Sequence, residues 1–279
     1  MFERTEKMVP LVAVQPAYMH PYTCARMIST LATLYHRRVD LNLVAGGNPP
    51  HLRALGAMLD HEERYARMVE YGELVRRLLT GTEPVSFQGR YYTVPIAMLP
   101  PPMPADLLPQ VFVAGSSAAC EQAGRALGVV RLTYPRPLTE YTGPAPLANS
   151  GVRVGIIARD TGTEAWRVAR RRFPADPMGE RIHDVAQRTA DSHWHRELGA
   201  ERDRPYDLAD TYRAYPFRAY KEYCPFLVGS YEEVGEMLAR YFGLGAETLI
   251  LQTPKEPDDI HHALLALAAA QRLRDAVDA

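Results

Sequence analysis

The stretch Val111-Phe-Val-Ala-Gly-Ser-Ser117, running straight into Ala118–Leu127, decides how this chain is read. A short apolar, β-favouring run ends in a glycine and two serines, and a helical pattern begins at once. A buried strand that turns into a helix in this way aims backbone N–H groups and two hydroxyls at one spot. Barrels and open α/β sheets hold phosphates with that arrangement. An ordinary Ser N-cap in a βα loop uses the same residues. Gly115, Ser116 and Ser117 therefore stand as anion ligands or as a cap.

Working outward, the same strand-to-helix junction recurs. Met8–Val14, Val39–Ala45, Val129–Tyr134, Val152–Ala158 and Thr248–Gln252 are further strand-like runs. Most are near-continuously apolar, as parallel strands covered on both faces are. Between them, Glu62–Leu79 places Tyr65, Met68, Val69, Val75 and Leu79 largely on one helical face, and Asp60 with Glu63 forms a capping-box start. Ser230 and Glu233 cap a second helix carrying Val234, Met237, Leu238 and Tyr241, with Gly243 placed to end it. The alternation predicts a parallel α/β fold. Six barrel-type strands are legible, where a closed (β/α)8 barrel has eight. Gln88–Pro109, with its Tyr-Tyr pair and proline cluster, reads as an excursion holding a small hairpin. Pro174–Pro225 reads as a long polar and aromatic insertion before the last strand, of the kind that forms an active-site rim or lid.

Composition narrows the function. The 279 residues suit one α/β barrel of about 250 residues, and 47% of them are apolar. A net charge of −1 offers no electrostatic case for nucleic acid or an acidic membrane surface. No apolar run approaches the roughly 20 residues that span a bilayer, and the opening residues are not a signal peptide. Cys24, Cys120 and Cys224 are scattered without CxxC spacing, as reduced thiols of a cytoplasmic protein are. No GxSxG, P-loop, HExxH or GxGxxG is present, so hydrolase, nucleotide-triphosphatase and dinucleotide-fold readings lack their marks.

Five further groups draw attention. His61 and Tyr65 lie at i and i+4 near a helix N-terminus, where both can donate to an anion or a flavin, or simply fill surface and core. Tyr134 closes a strand, facing a site at the barrel's carboxyl end or plugging the core. Arg153 lies within an apolar strand, so its charge must be paired or reach the barrel mouth. His193-Trp194-His195 has no carboxylate or cysteine at ligand spacing, and His261-His262 reads as a solvated helix start; neither is taken as a metal site.

Beyond these local readings, Asp60-His-Glu-Glu-Arg-Tyr65, Glu70-Tyr-Gly-Glu-Leu and Val85-Ser-Phe-Gln-Gly-Arg-Tyr-Tyr-Thr-Val94 resemble the bacterial luciferase-like, flavin-dependent monooxygenases, nearest the alkanesulfonate branch. The likeness continues through Asn42-Leu-Val-Ala-Gly-Gly47, Ala114-Gly-Ser-Ser117 and Leu227-Val-Gly-Ser-Tyr-Glu-Glu-Val234, over nearly the whole chain. It implies a single TIM (β/α)8 barrel domain over 1–279, with an insertion at about 174–225. The resemblance aligns Met8–Val14 with the family's third strand, so a barrel truncated at its N-terminus to six strands is expected.

By position, His61 and Tyr65 match the family's flavin-contacting pair. Gly115, Ser116 and Ser117 match its FMN-phosphate cradle, and Asn42 with Ala45 the strand end beside the isoalloxazine. Tyr134 and Arg153 match an aromatic and an arginine of the active site. The resemblance implies a cytoplasmic, homo-oligomeric, two-component monooxygenase. Such an enzyme takes FMNH2 from an NAD(P)H:flavin reductase and oxygenates a small organic substrate with O2. An F420-dependent oxidoreductase of the same superfamily and a non-catalytic flavin-binding protein are the alternatives. Departures from the sulfonate branch, chiefly Gly155 where those enzymes carry a histidine, argue against alkanesulfonates as substrates.

Overall fold

The computed structural model describes residues 3, 6, 9–189, 198, 199 and 210–278. They form two compact units, 1–131 and 132–279, each with its own apolar core.

In chain order the first unit runs β1 (Leu11–Val14), α1 (Pro21–Tyr35), β2 (Asp40–Leu43), α2 (Pro49–Ala54), α3 (His61–Thr80), β3 (Val85–Gln88), β4 (Thr93–Ala97), β5 (Val111–Ala114) and α4 (Ala118–Leu127). β2 lies between β1 and β5 in parallel ladders, with Ala13, Asn42 and Phe112 in register. Leu41 and Leu43 of β2 are buried. Leu43 meets α3 beside Gly72. Side chains alternate along a strand, so Asn42 points to the face away from that helix.

α3 begins with the expected capping box. Glu63 N donates to Asp60 Oδ1 at 2.8 Å, and Glu63 Oε2 accepts from Asp60 N at 3.4 Å. The expected hairpin is β3 against antiparallel β4. Its turn is held to α3 by Glu70, whose carboxylate accepts from the backbone of Arg90, Tyr91 and Tyr92 at 2.8, 2.9 and 3.3 Å.

β6 (Val130–Thr133) contains the division between the units. The second unit continues with β7 (Ser150–Arg159), α5 (Gly162–Arg172), α6 (Pro177–Thr189), β8 (Tyr212–Arg213), α7 (Tyr215–Arg218), β9 (Phe226–Ser230), α8 (Tyr231–Gly243), β10 (Ala246–Leu251) and α9 (Asp259–Asp278). The long β7 pairs in parallel with two strands in succession. Ser150–Val154 pairs with β10, and Gly155–Arg159 pairs with β9. β8 adds antiparallel to β9.

Two expectations change here. Phe226–Ser230, not among the six strands counted, is a strand parallel to β7. Its apolar run is so short that the helix-start signal of Ser230 and Glu233 masks it. α8 ends at Gly243, where its end was expected, and Gly245, at φ +100°, makes the left-handed turn. The start of α9 is not solvated throughout. Asp259 is buried, paired with Arg172 at 2.9 Å, and accepts from the backbone N–H of Lys255 and Glu256. Within the expected insertion, α6, β8 and α7 are described, whereas His193-Trp194-His195 lies outside the described residues. Among the described residues no helix is long and apolar enough to cross a membrane.

Candidate active site

One constellation lies in the first unit. His61 opens α3 and Tyr65 follows one turn later, their ring centroids 5.1 Å apart. His61 Nε2 lies 3.1 Å from Ser117 Oγ. Ser117 is also the N-cap of α4, its Oγ accepting from Cys120 N at 3.2 Å. The cap reading of this serine is therefore realised, and its hydroxyl also touches His61. Tyr65 Oη donates to Ala114 O at 3.3 Å.

Gly115 is the hinge of this arrangement. Its φ is +148°, and a Cβ there would stand 2.6 Å from Tyr65 Oη and 3.1 Å from Cys120 Sγ. Only a bare backbone fits so close to the tyrosine. Burial raises the Tyr65 pKa, and burial pushes the Cys120 thiol up to about 11. Both groups stay protonated at neutral pH, which leaves Tyr65 a neutral donor. Ser116 is half-buried beside them.

Asn42 Oδ1 is buried with no hydrogen-bond partner among the described residues. Ala45 is buried just beyond the end of β2. A buried, unpartnered amide oxygen, a glycine that a Cβ would fill and the N-terminus of α4 suit a phosphate-bearing ring system with N–H donors. These residues fit FMN.

The second constellation surrounds Arg153 on β7. Its Nε and Nη2 both donate to Gln252 Oε1, at 3.2 and 2.7 Å. Gln252 Nε2 in turn donates to Glu222 Oε2 at 2.7 Å. Glu222 is only 5% exposed, and Lys255 Nζ lies 2.8 Å from its Oε1. The Cys224 thiol donates weakly to Gln252 Oε1 at 3.6 Å. Burial pushes that thiol up to about 12, with the Arg153 charge pulling against it. Tyr134 is buried against Phe217, ring centroids 6.3 Å apart. Burial raises its pKa too, and the Arg153 charge again opposes the shift. Arg153 is thus paired through a neutral amide.

At Gly155, two residues on, a Cβ would stand 2.3 Å from the Phe226 ring. Phe226 fills the room that a side chain at this position would need.

The structure therefore gathers His61, Tyr65, Gly115 and Ser117 around one point, with Asn42 and Ala45 on the neighbouring strand and the turn after it. Sequence reasoning missed Glu222, Cys224, Gln252 and Phe226. Gln252 had a signal, because it directly follows the carboxyl end of the last strand. The other three lie in an aromatic stretch with no motif of their own.

With this geometry in place, the comparisons with known proteins agree. The chain belongs to the luciferase-like monooxygenase family, whose sequence profile matches residues 1–248. It is 32% identical over 271 residues to the 4-(γ-L-glutamylamino)butanoyl-[BtrI acyl-carrier protein] monooxygenase BtrO of Niallia circulans, covering 94% of this chain and 79% of that one. Among solved structures, the EDTA monooxygenase EmoA from Chelativorans sp. BNC1 matches with a TM-score of 0.71 at 16% identity, over 97% of this chain and 75% of that one. The oxygenating constituent of 3,6-diketocamphane monooxygenase of Pseudomonas putida, a type II Baeyer–Villiger enzyme in complex with FMN, matches with a TM-score of 0.62. Its identity is 18%, over 96% of this chain and 79% of that one. At such identities the solved structures speak for the fold, which is the α/β TIM-barrel fold of this family. The chain is an enzyme of the flavin-dependent monooxygenase class.

Proposed function

We propose that this protein is the oxygenating component of a two-component system that uses reduced FMN supplied by an NAD(P)H:flavin reductase, and that it works as a homo-oligomer. The observation that carries the reading is the close packing of Gly115 against Tyr65, with Ser117 held by His61 at the start of α4. When bound, reduced FMN supplies the activation of O2 for transfer of one oxygen atom.

The chain's own residues hold and orient. Ser116, Ser117 and the first N–H groups of α4 take the phosphate. His61 donates to the cofactor from its imidazole, Tyr65 packs beside it as a neutral phenol, and Asn42 with Ala45 line the cofactor ring. Arg153 holds an oxygen of the substrate, with Tyr134 as an apolar and donating wall. A buried setting such as the one around Tyr134 and Cys224 keeps water away from the reacting atoms.

The substrate we propose is a small amino-acid-like or amide-bearing molecule. The relative in Niallia circulans is named for a γ-L-glutamylamino acyl group, and the Phe226 ring leaves no room for a side chain at position 155, two residues along β7 from Arg153. The rival is deazaflavin-dependent hydride transfer. Anaerobic titration with FMNH2 and with reduced F420, followed by admission of O2, separates the two. We expect FMNH2 to bind and its O2 uptake to be coupled to product from an amide substrate panel. Tight binding of reduced F420 with no O2 uptake would refute the proposal.

A further inference from the structure

We propose that Gln252 and Glu222 are positioning residues that aim the Arg153 guanidinium at a substrate carboxylate while leaving its charge uncancelled. This rests on the reading of Arg153 as a substrate-holding residue. The amide of Gln252 can stand only one way. Its oxygen receives two guanidinium N–H bonds at 3.2 and 2.7 Å, and its nitrogen gives one to Glu222 at 2.7 Å. The flipped amide would set donors against donors and an oxygen against a carboxylate.

Glu222 enforces that orientation from a buried position, and Lys255 balances its charge at 2.8 Å. Among the described residues no carboxylate makes an ion pair with Arg153. Along the row Lys255, Glu222, Gln252, Arg153 the charges are plus, minus, neutral and plus. The row keeps one net positive charge, at the guanidinium.

A carboxylate at position 252 would set an oxygen against Glu222, as the flipped amide would, and would neutralise the guanidinium. An amide orients it and leaves it able to take an anion. Arg153 lies in register with Ile250 of β10, and Gln252 N donates to Val154 O. Arg153 therefore stands on a strand, and Gln252 directly follows the strand paired with it, tied back by a backbone bond, which supports precise aim better than a free loop does.

The test needs no flavin, so its outcome is separate from that of the proposed function. Protein labelled with 15N-arginine gives Nε–Hε signals, and the Arg153 signal is identified by its loss in Arg153→Lys. We expect this signal to be protected from solvent exchange in the wild type and to shift saturably with acetate but not with acetamide. In Gln252→Leu the protection disappears. In the double variant Gln252→Glu/Glu222→Gln, where the amide and the carboxylate exchange places, it remains, while acetate binds about tenfold more weakly, the equivalent of roughly 1.4 kcal/mol. Glu222→Gln lets the amide turn and lowers protection, less than Gln252→Leu does. Cooperative melting checks that each variant is folded, and if Gln252→Leu is not, the other two carry the test. A protected signal in Gln252→Leu, undiminished acetate binding in Gln252→Glu/Glu222→Gln or absence of any acetate response in the wild type would each overturn the proposal.

Discussion

Replacing Gly115 by alanine tests the core of the proposed cofactor site. The new methyl would stand 2.6 Å from Tyr65 Oη and 3.1 Å from Cys120 Sγ, on a backbone at φ +148°. A non-glycine residue in such a conformation costs about 1–3 kcal/mol, and forcing a methyl into filled space costs about 1–3 kcal/mol more. The variant should lose about 2–6 kcal/mol of stability, a large share of a domain's total.

The tyrosine hydroxyl is the nearest obstacle, which makes the argument separable. Tyr65→Phe alone loses the bond to Ala114 O and should cost about 0.5–1.5 kcal/mol. In the Gly115→Ala background it removes the closest clash, so the double variant should recover about 1–2 kcal/mol relative to additivity. Urea unfolding of the four proteins gives these values directly, with unchanged m-values as the check on two-state behaviour. A Gly115→Ala protein within about 0.5 kcal/mol of wild type, or strict additivity in the cycle, would refute the reasoning.

Ser116→Ala with Ser117→Ala should weaken FMN binding by about 1–3 kcal/mol through lost charge-assisted hydrogen bonds; titration calorimetry showing unchanged affinity would remove these serines from the site. Asp259 feels burial, which raises its carboxyl pKa, but bonds from Arg172 and from the Glu256 and Lys255 backbone outweigh it, so the pKa lies below the usual 3.8. Its contribution to stability is complete above about pH 4 and is lost as pH falls through the lowered folded-state value; melting curves of Asp259→Asn should show that acid-dependent loss diminished, and an identical acid profile would count against the ion cluster. Gly155→Ala should destabilise by about 1–3 kcal/mol because its methyl meets the Phe226 ring, with recovery in a Phe226→Leu background, and an unperturbed single variant would show the ring to be loosely held. Short alkanesulfonates, supplied with FMNH2 and a reductase, should yield little sulfite; release at rates typical of a sulfonate enzyme would contradict the substrate reading.

The parts legible in the sequence are those whose signals are local. The strand Val111–Ala114, its glycine and the Ser117 cap occupy a few adjacent positions. Asp60 and Glu63 declare the start of α3, which fixes where His61 and Tyr65 stand. Around Arg153 the signals are not local. Gln252 lies 99 positions away from the arginine it holds, and Glu222 and Cys224 stand in an aromatic segment whose pattern names no partner. β9 was hidden for a related reason. Its pairing with the second half of β7 is a tertiary fact, while the strong helix cap that follows it is a local one.

That difference has a chemical counterpart. The first constellation is made of neutral donors, a glycine and a helix start, which suits a phosphate and a ring held by hydrogen bonds. The second holds one uncancelled positive charge in apolar surroundings, aimed by an amide. A sulfonate has three equivalent oxygens and calls for several convergent donors, but Phe226 lies where a second donor on β7 would have to be. A carboxylate carried by an amino-acid-like group needs less. One guanidinium can meet it, and the ammonium on the same group keeps its net charge near zero, so that its desolvation costs less than that of an isolated anion. On the proposed reading, the aromatic ring over Gly155 takes part in the selection, because it occupies the room a polar side chain at that position would need.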